Sequence, residues 1–320
     1  MRKIVLSGLQ NLEIKRAEKP IPANGEVCLK VEFCGVCRTD AKMWEQGHKD
    51  LVLPRVLGHE AVCMDEKGSR FAVWPGNACG KCKHCTSGRE NLCDKMEIMG
   101  FHRDGGFADE LTACKKNLIP LPDHLPAHLA CFAEPTGCVL NALSRPCPLK
   151  GDRVIIYGGG TMGMITALVC QSLGADPLII EKKAQKIKKT EEFLKLTGIN
   201  CVQKTSEKDF DLAVNACADP GAFGSGMEKL ARGGRFSFFS GLLKQETVQA
   251  ADLNCIHYKE LAVYGAYGLK QEDMEKGLAF IAEHEDAFER LIEDIIPLED
   301  AVRVMPKVAQ SAALKYILAV

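Results

Sequence analysis

A chain of 320 residues, 46% apolar and 26% charged, has enough material for two ordinary globular domains. Its formal net charge of -1 excludes the strong basic balance of a nucleic-acid or anionic-membrane binder, so neither partner is expected. Sixteen cysteines, no signal-like apolar run in Met1–Gly8 and no stretch long enough to span a bilayer point to reduced thiols, metal ligands and the cytoplasm.

The first third reads as short strands and turns. Val27, Leu29, Val31 and Phe33 alternate with other residues, the period of a half-buried strand. Lys19-Pro20-Ile21-Pro22 and Trp74-Pro75-Gly76 punctuate it. Cys37, His59, Glu60 and, later, Glu134 are dispersed residues of metal-ligand type. A catalytic zinc needs three protein ligands and an exchangeable position, but each of these residues also has an ordinary structural role. The next group is tighter. Cys79, Cys82, Cys85 and Cys93 are spaced Cys-x2-Cys-x2-Cys-x7-Cys, and four thiolates close a tetrahedron around a structural zinc. His84 lies between two of them as a bystander. Cys34, three residues before Cys37, reads as a small buried hydrophobe.

After Gly151 the texture changes. Asp152–Tyr157 is a short apolar strand that runs into Gly158-Gly159-Gly160-Thr161-Met162-Gly163. A helix carrying Ile165, Leu168, Val169 and Ser172 on one face follows and stops at Gly174. A second strand, Pro177 to Ile180, ends in Glu181. A Lys-rich helix, a strand around Phe210–Asn215, another helix and a strand at Arg235–Ser240 come next. Strands alternating with helices predict a parallel sheet covered on both faces. Gly158, Gly160 and Gly163 stand at the spacing that turns a strand tightly into a helix and brings backbone N–H groups, those of Thr161 and Met162 included, up to a pyrophosphate. Glu181 is placed to accept the adenosine ribose hydroxyls, and its charge favours NAD over NADP. Lys182 and Lys183 read as a solvated helix face.

Taken together, several stretches resemble, in order and over essentially the whole chain, the zinc-containing medium-chain alcohol dehydrogenase family. They are Cys37-Arg38-Thr39-Asp40, Gly58-His59-Glu60, the four-cysteine lobe, Asp104-Gly105-Gly106-Phe107-Ala108, Ala133-Glu134-Pro135, the glycine turn and Gly233-Gly234-Arg235. The resemblance implies an α/β protein. A GroES-like, β-rich catalytic domain (residues 1–133 and 268–320) would enclose a Rossmann, doubly wound NAD-binding domain (residues 134–267). It implies that Cys37 and His59 bind the catalytic zinc. Glu134 stands where the polyol and threonine branch has a glutamate, and Glu60 is implied as a ligand or a close carboxylate neighbour. Arg38 resembles the arginine on the cofactor pyrophosphate, Lys186 the lysine on the adenosine ribose, and Thr39 the residue that takes the alcohol proton.

The activity so implied is hydride transfer between a secondary alcohol (a polyol, cyclitol, sugar or hydroxy amino acid) and NAD. One catalytic and one structural zinc serve a homodimer or homotetramer that pairs along Leu261–Tyr264. The alternative is a zinc- and NAD-binding member without turnover or with a redox-sensing role, disfavoured because Cys37, His59 and Glu134 are all retained. Two departures stand out. Lys42 occupies the place where many members carry the relay histidine, and the stretch from Glu60 to Cys79 is shorter, with Gly68-Ser69-Arg70-Phe71 as the remnant of a longer hairpin. Trp44 and His102 are pocket candidates, with core packing and loop anchoring as their plainer roles.

Overall fold

The structure is a computed structural model that describes residues 1–242, 247–311 and 313–320. The chain forms two compact units, Met1–Gly137 with Leu269–Val320, and Cys138–Gly268.

The first unit begins with β1 (Arg2–Gly8), β2 (Asn11–Arg16) and the long β3 (Glu26–Val36). It continues with β4 (Arg55–Val56), β5 (Glu60–Met64), β6 (Arg70–Val73), β7 (Gly76–Asn77), β8 (Glu97–Ile98), β9 (Glu110–Cys114) and β10 (Leu118–Pro120). β2, β1 and β4 make a small antiparallel sheet. The expected alternation along β3 holds for Leu29 and Val31 and then breaks. The register against β5 shifts between Val31 and Phe33, so Cys34 and Val36 are buried where Phe33 was expected to be. A bulge inserts one residue, and every later side chain changes face. β5 and β6 form a hairpin closed at Met64 and Arg70, and Asp65 Oδ1 accepts the N–H groups of Lys67 and Ser69 in its turn. β7 and β8 pair as a short ribbon, and the four-cysteine stretch lies between them.

The second unit carries β11 (Arg153–Tyr157), β12 (Asp176–Ile180), β13 (Asn200–Val202), β14 (Phe210–Asn215), β15 (Leu230–Phe238) and β16 (Ala262–Gly265). They pair in parallel in the order β13-β12-β11-β14-β15-β16. The chain winds outward from β11 in one direction and then from β14 in the other. Between those two strands lies the switch point, where such sheets open a crevice at their carboxyl ends. The helix after β11, Thr161–Ser172, is buried along most of its length, which accounts for its nearly unbroken apolar run.

β17 (Ile292–Pro297) and β18 (Lys315–Ala319) return to the first unit, where β18 pairs antiparallel with β3 and completes the seven-stranded sheet. The helix Ala133–Ser144 straddles the two units, and the division falls after Gly137, where a Cβ would press on Leu269 and Met274. Glu134 therefore belongs with the first unit, rather than with the nucleotide-binding segment expected to begin there.

Candidate active site and metal centres

In the first unit, Cys37, His59 and Glu60 bring one ligand atom each within 4.8 Å of one another. Local structure explains the convergence. Cys37 ends the turn after β3 and caps the helix Arg38–Gln46, its Sγ accepting the Thr39 N–H at 3.4 Å. Asp40, fully buried in the first turn, accepts the Cys37 N–H through Oδ2 (2.9 Å) and the Gly58 N–H through Oδ1 (3.2 Å). The same Oδ1 lies 3.4 Å from His59 Nδ1. One carboxylate thus holds the segments that carry Cys37 and His59 and lies beside the imidazole, as carboxylates do at metal-bound histidines. Burial opposes a positive charge on His59, but Asp40 and Cys37 outweigh it and hold its pKa well above the ordinary imidazole range. The donor set of thiol, imidazole and carboxyl fits zinc.

Glu60 is committed elsewhere as well. Both its oxygens lie 2.6 Å from Lys315 Nζ, 255 residues away at the start of β18, and the pair is closed off from water. Gly35, opposite Glu60 across β3 and β5, makes room for it, because a Cβ there would overlap the carboxylate. Burial pulls the Lys315 pKa down, but Glu60, Cys37 and Glu134 outweigh it, so the ammonium stays charged. Glu134, expected as a ligand, is buried one residue into its helix and is not part of the converging group. Lys315 lies within the field of both carboxylates.

The sulfurs of Cys79, Cys82, Cys85 and Cys93 also converge within 4.8 Å, with Cys82 and Cys85 Sγ 3.5 Å apart. Thiolates about 2.3 Å from a tetrahedral zinc sit about 3.8 Å from one another, so the spacing fits that ion. Backbone N–H groups of Cys85 and Asp94 bring the Cys82 thiol down to about 6, while burial and then the neighbouring sulfurs of Cys82 and Cys93 push Cys85 up to about 12. Further N–H groups, from Cys79 and Lys95, point at Cys93 Sγ at 3.3 and 3.4 Å. His84 stays outside the group.

In the second unit the turn Gly158–Gly163 fits a pyrophosphate. Gly158 has φ +112°, and a Cβ on Gly163 would collide with the Gly158 carbonyl. A Cβ on Gly160 would meet nothing within 4 Å, so the turn leaves open space in front of the helix. Gly160 caps that helix without a side-chain hydrogen bond, and Thr161 and Met162 begin its first turn. Glu181 is buried, accepting the Gly159 N–H at 3.0 Å and the Lys183 N–H at 2.9 Å, with Lys186 Nζ 3.7 Å away. Lys182 is exposed and pairs with Asp219 at 2.5 Å.

Arg38 is exposed, and Thr39 and Lys42 are half-buried on the helix that Cys37 caps. Burial, and then Arg38, lower the Lys42 pKa against an opposing pull from Cys37. Trp44 packs against the core, and His102 Nδ1 accepts the Ile98 N–H at 3.0 Å, so both fill their plainer roles. Cys34 is fully buried, which pushes its thiol well up. Sequence reading assigned no role to Asp40 or Lys315. The Cys-x-x-Asp spacing of a helix cap was the one available signal for Asp40. Nothing local marks Lys315.

These features define a two-unit protein with a thiol, imidazole and carboxyl cluster that fits a metal, a second cluster of four sulfurs, and a parallel sheet with a glycine turn at its switch point. Residues 23–123 match the alcohol dehydrogenase GroES-like domain. The chain is 27% identical to sorbitol dehydrogenase from Halalkalibacterium halodurans, over 97% of this chain and 96% of that one. It is 29% identical to L-threonine 3-dehydrogenase from Xanthomonas campestris, over 80% and 81%. Its fold matches that of a zinc-binding dehydrogenase from Sinorhizobium meliloti bound to NADP, with a TM-score of 0.89 at 24% identity over 100% and 99% of the two chains. The chain thus carries an alcohol dehydrogenase GroES-like domain and is similar over nearly its whole length to zinc-type alcohol, sorbitol and threonine dehydrogenases.

Proposed function

We propose that this protein is a zinc-dependent dehydrogenase that moves a hydride between a secondary alcohol and NAD. The observation that carries the reading is the convergence of Cys37, His59 and Glu60, with Asp40 behind the imidazole. When bound there, zinc acidifies an alcohol hydroxyl, and a nicotinamide cofactor accepts the hydride. The chain's own residues do the rest. Asp40 fixes the histidine, Lys315 holds the Glu60 carboxylate in place, and Thr39 takes the alcohol proton beside Cys37. Glu134, a buried carboxylate within the field of Lys315, is the further ligand candidate for that zinc. A second zinc in the four-cysteine lobe is structural.

In the second unit Gly158, Gly160, Thr161, Met162 and Gly163 receive the pyrophosphate, while Glu181 and Lys186 take the adenosine ribose. NAD rather than NADP follows from the charge of Glu181, which would repel a 2′-phosphate. The substrate class is polyol, cyclitol, sugar or hydroxy amino acid, in keeping with relatives named for sorbitol and L-threonine.

Two copies pair along the edge strand β16, where Val263 is exposed and Leu253 and Tyr258 lie open on the preceding helix. The sixteen cysteines are all free, which suits the cytoplasm, and no described helix is long and apolar enough to cross a membrane. The test is turnover of a panel of these alcohols with NAD and with NADP. Oxidation of one class with NAD preferred supports the reading, and no turnover with any member contradicts it.

A further inference from the structure

Asn215, the last residue of β14, is fully buried, and its side chain spans the gap to the end of β15. Its Oδ1 accepts the N–H groups of Phe239 (2.7 Å) and Ser240 (3.3 Å), and its Nδ2 donates to the Ser240 carbonyl at 2.7 Å. The Ser240 N–H also reaches the Asn215 carbonyl at 3.0 Å. One amide thus satisfies the backbone groups left over where β15 stops and holds the backbone at Phe239 and Ser240. The next residues lean the other way. Ala216 donates its N–H to the Tyr157 carbonyl at 2.8 Å, and a Cβ on Gly158 would lie 3.0 Å from the Ala216 carbonyl and from Cys217 Cβ.

Asn215 therefore ties the phosphate-binding turn at the end of β11 to the loop that follows β15. Its place in the sheet gives that tie a purpose. Glu181, beyond β12, stands on one side of the switch point between β11 and β14, and Asn215 stands on the other. A dinucleotide laid across the carboxyl ends with its adenosine ribose at Glu181 carries its other half over β14 and β15. We propose that Asn215 is a positioning residue for the nicotinamide half of the cofactor, acting through the loop at Phe239 and Ser240. The inference rests on the dinucleotide reading.

The experiment compares wild-type protein with Asn215→Ala and Asn215→Asp in calorimetric titrations. The probes are the reduced cofactor, NADH or NADPH, whichever wild type binds tighter, and the matching fragment without nicotinamide, ADP-ribose or its 2′-phosphate. Thermal melting is followed alongside. Stranding the Phe239 N–H and the Ser240 carbonyl in Asn215→Ala predicts about tenfold or greater weakening of the reduced dinucleotide, with fragment affinity unchanged within about twofold. Asn215→Asp keeps the acceptor, loses the donor to the Ser240 carbonyl and falls between. It also serves if the alanine variant does not fold. Equal weakening of both probes, or none, overturns the inference and leaves Asn215 a general staple of the sheet. Failure of wild type to bind either fragment overturns the dinucleotide reading itself.

Discussion

Glu60 and Lys315 form a closed ion pair, both carboxylate oxygens 2.6 Å from the ammonium, that ties the strand beside His59 to the last strand of the chain. Desolvating two charges is costly, and removing one partner leaves the other uncompensated. Lys315→Met is expected to cost about 3–5 kcal/mol, read by denaturant unfolding of the zinc-free protein. The double variant Glu60→Gln/Lys315→Met recovers much of this, because no buried ion remains. A loss below about 1 kcal/mol for the single variant would show that the pair behaves like an exposed one.

Asp40 holds the segments that carry Cys37 and His59 together. Asp40→Asn keeps the shape but replaces one of the two oxygens that accept the Cys37 and Gly58 N–H groups with an NH2 donor, and removes the charge facing His59. Affinity for the zinc at Cys37 and His59 should fall by roughly 10–100-fold while the four-cysteine lobe keeps its metal. Competitive titration with a chelator would separate the two sites, and unchanged release of both ions would contradict the role.

The lobe between β7 and β8 has few other means of staying folded. Cys93→Ser should lower metal content by one ion per chain and lower the melting temperature, without altering the zinc held by Cys37 and His59. Full retention of metal in that variant would show that three thiolates or another ligand suffice.

Lys42 carries a pH prediction. Burial and Arg38 lower its pKa, so it sheds its proton below the 10.5 of an ordinary lysine. If its neutral form accepts the proton leaving the alcohol, oxidation rises with pH through that lowered value. Lys42→Arg, which keeps the charge and does not titrate in this range, should abolish that limb of the kcat profile. Identical profiles in wild type, Lys42→Arg and Lys42→Ala would assign the residue to the surface of its helix.

Much of this fold and site could be read from local spacing. Four cysteines within fifteen residues, and three glycines between a strand and a helix, leave few chemical alternatives. The order of motifs supplied the rest of the family likeness. What escaped is non-local. Lys315 meets Glu60 across 255 residues, and no periodicity in β18 marks it. The bulge between Val31 and Phe33 changes the buried face of β3 because of its pairing with β5, which the strand's own sequence does not encode. Glu134 sits in a helix shared by both units, so its assignment depends on the packing of Gly137 against Leu269. Asp40 meets Gly58 and His59, and Asn215 meets Phe239 and Ser240, only when separate segments come together.

The central claim is that a zinc held by Cys37 and His59 turns over an alcohol. Zinc analysis alongside NAD-linked turnover, in wild type and in Cys37→Ser, tests it most directly. The account predicts two zinc ions per chain with turnover in wild type, and one zinc with turnover abolished in the variant. One zinc in wild type, or turnover that survives Cys37→Ser, would contradict it.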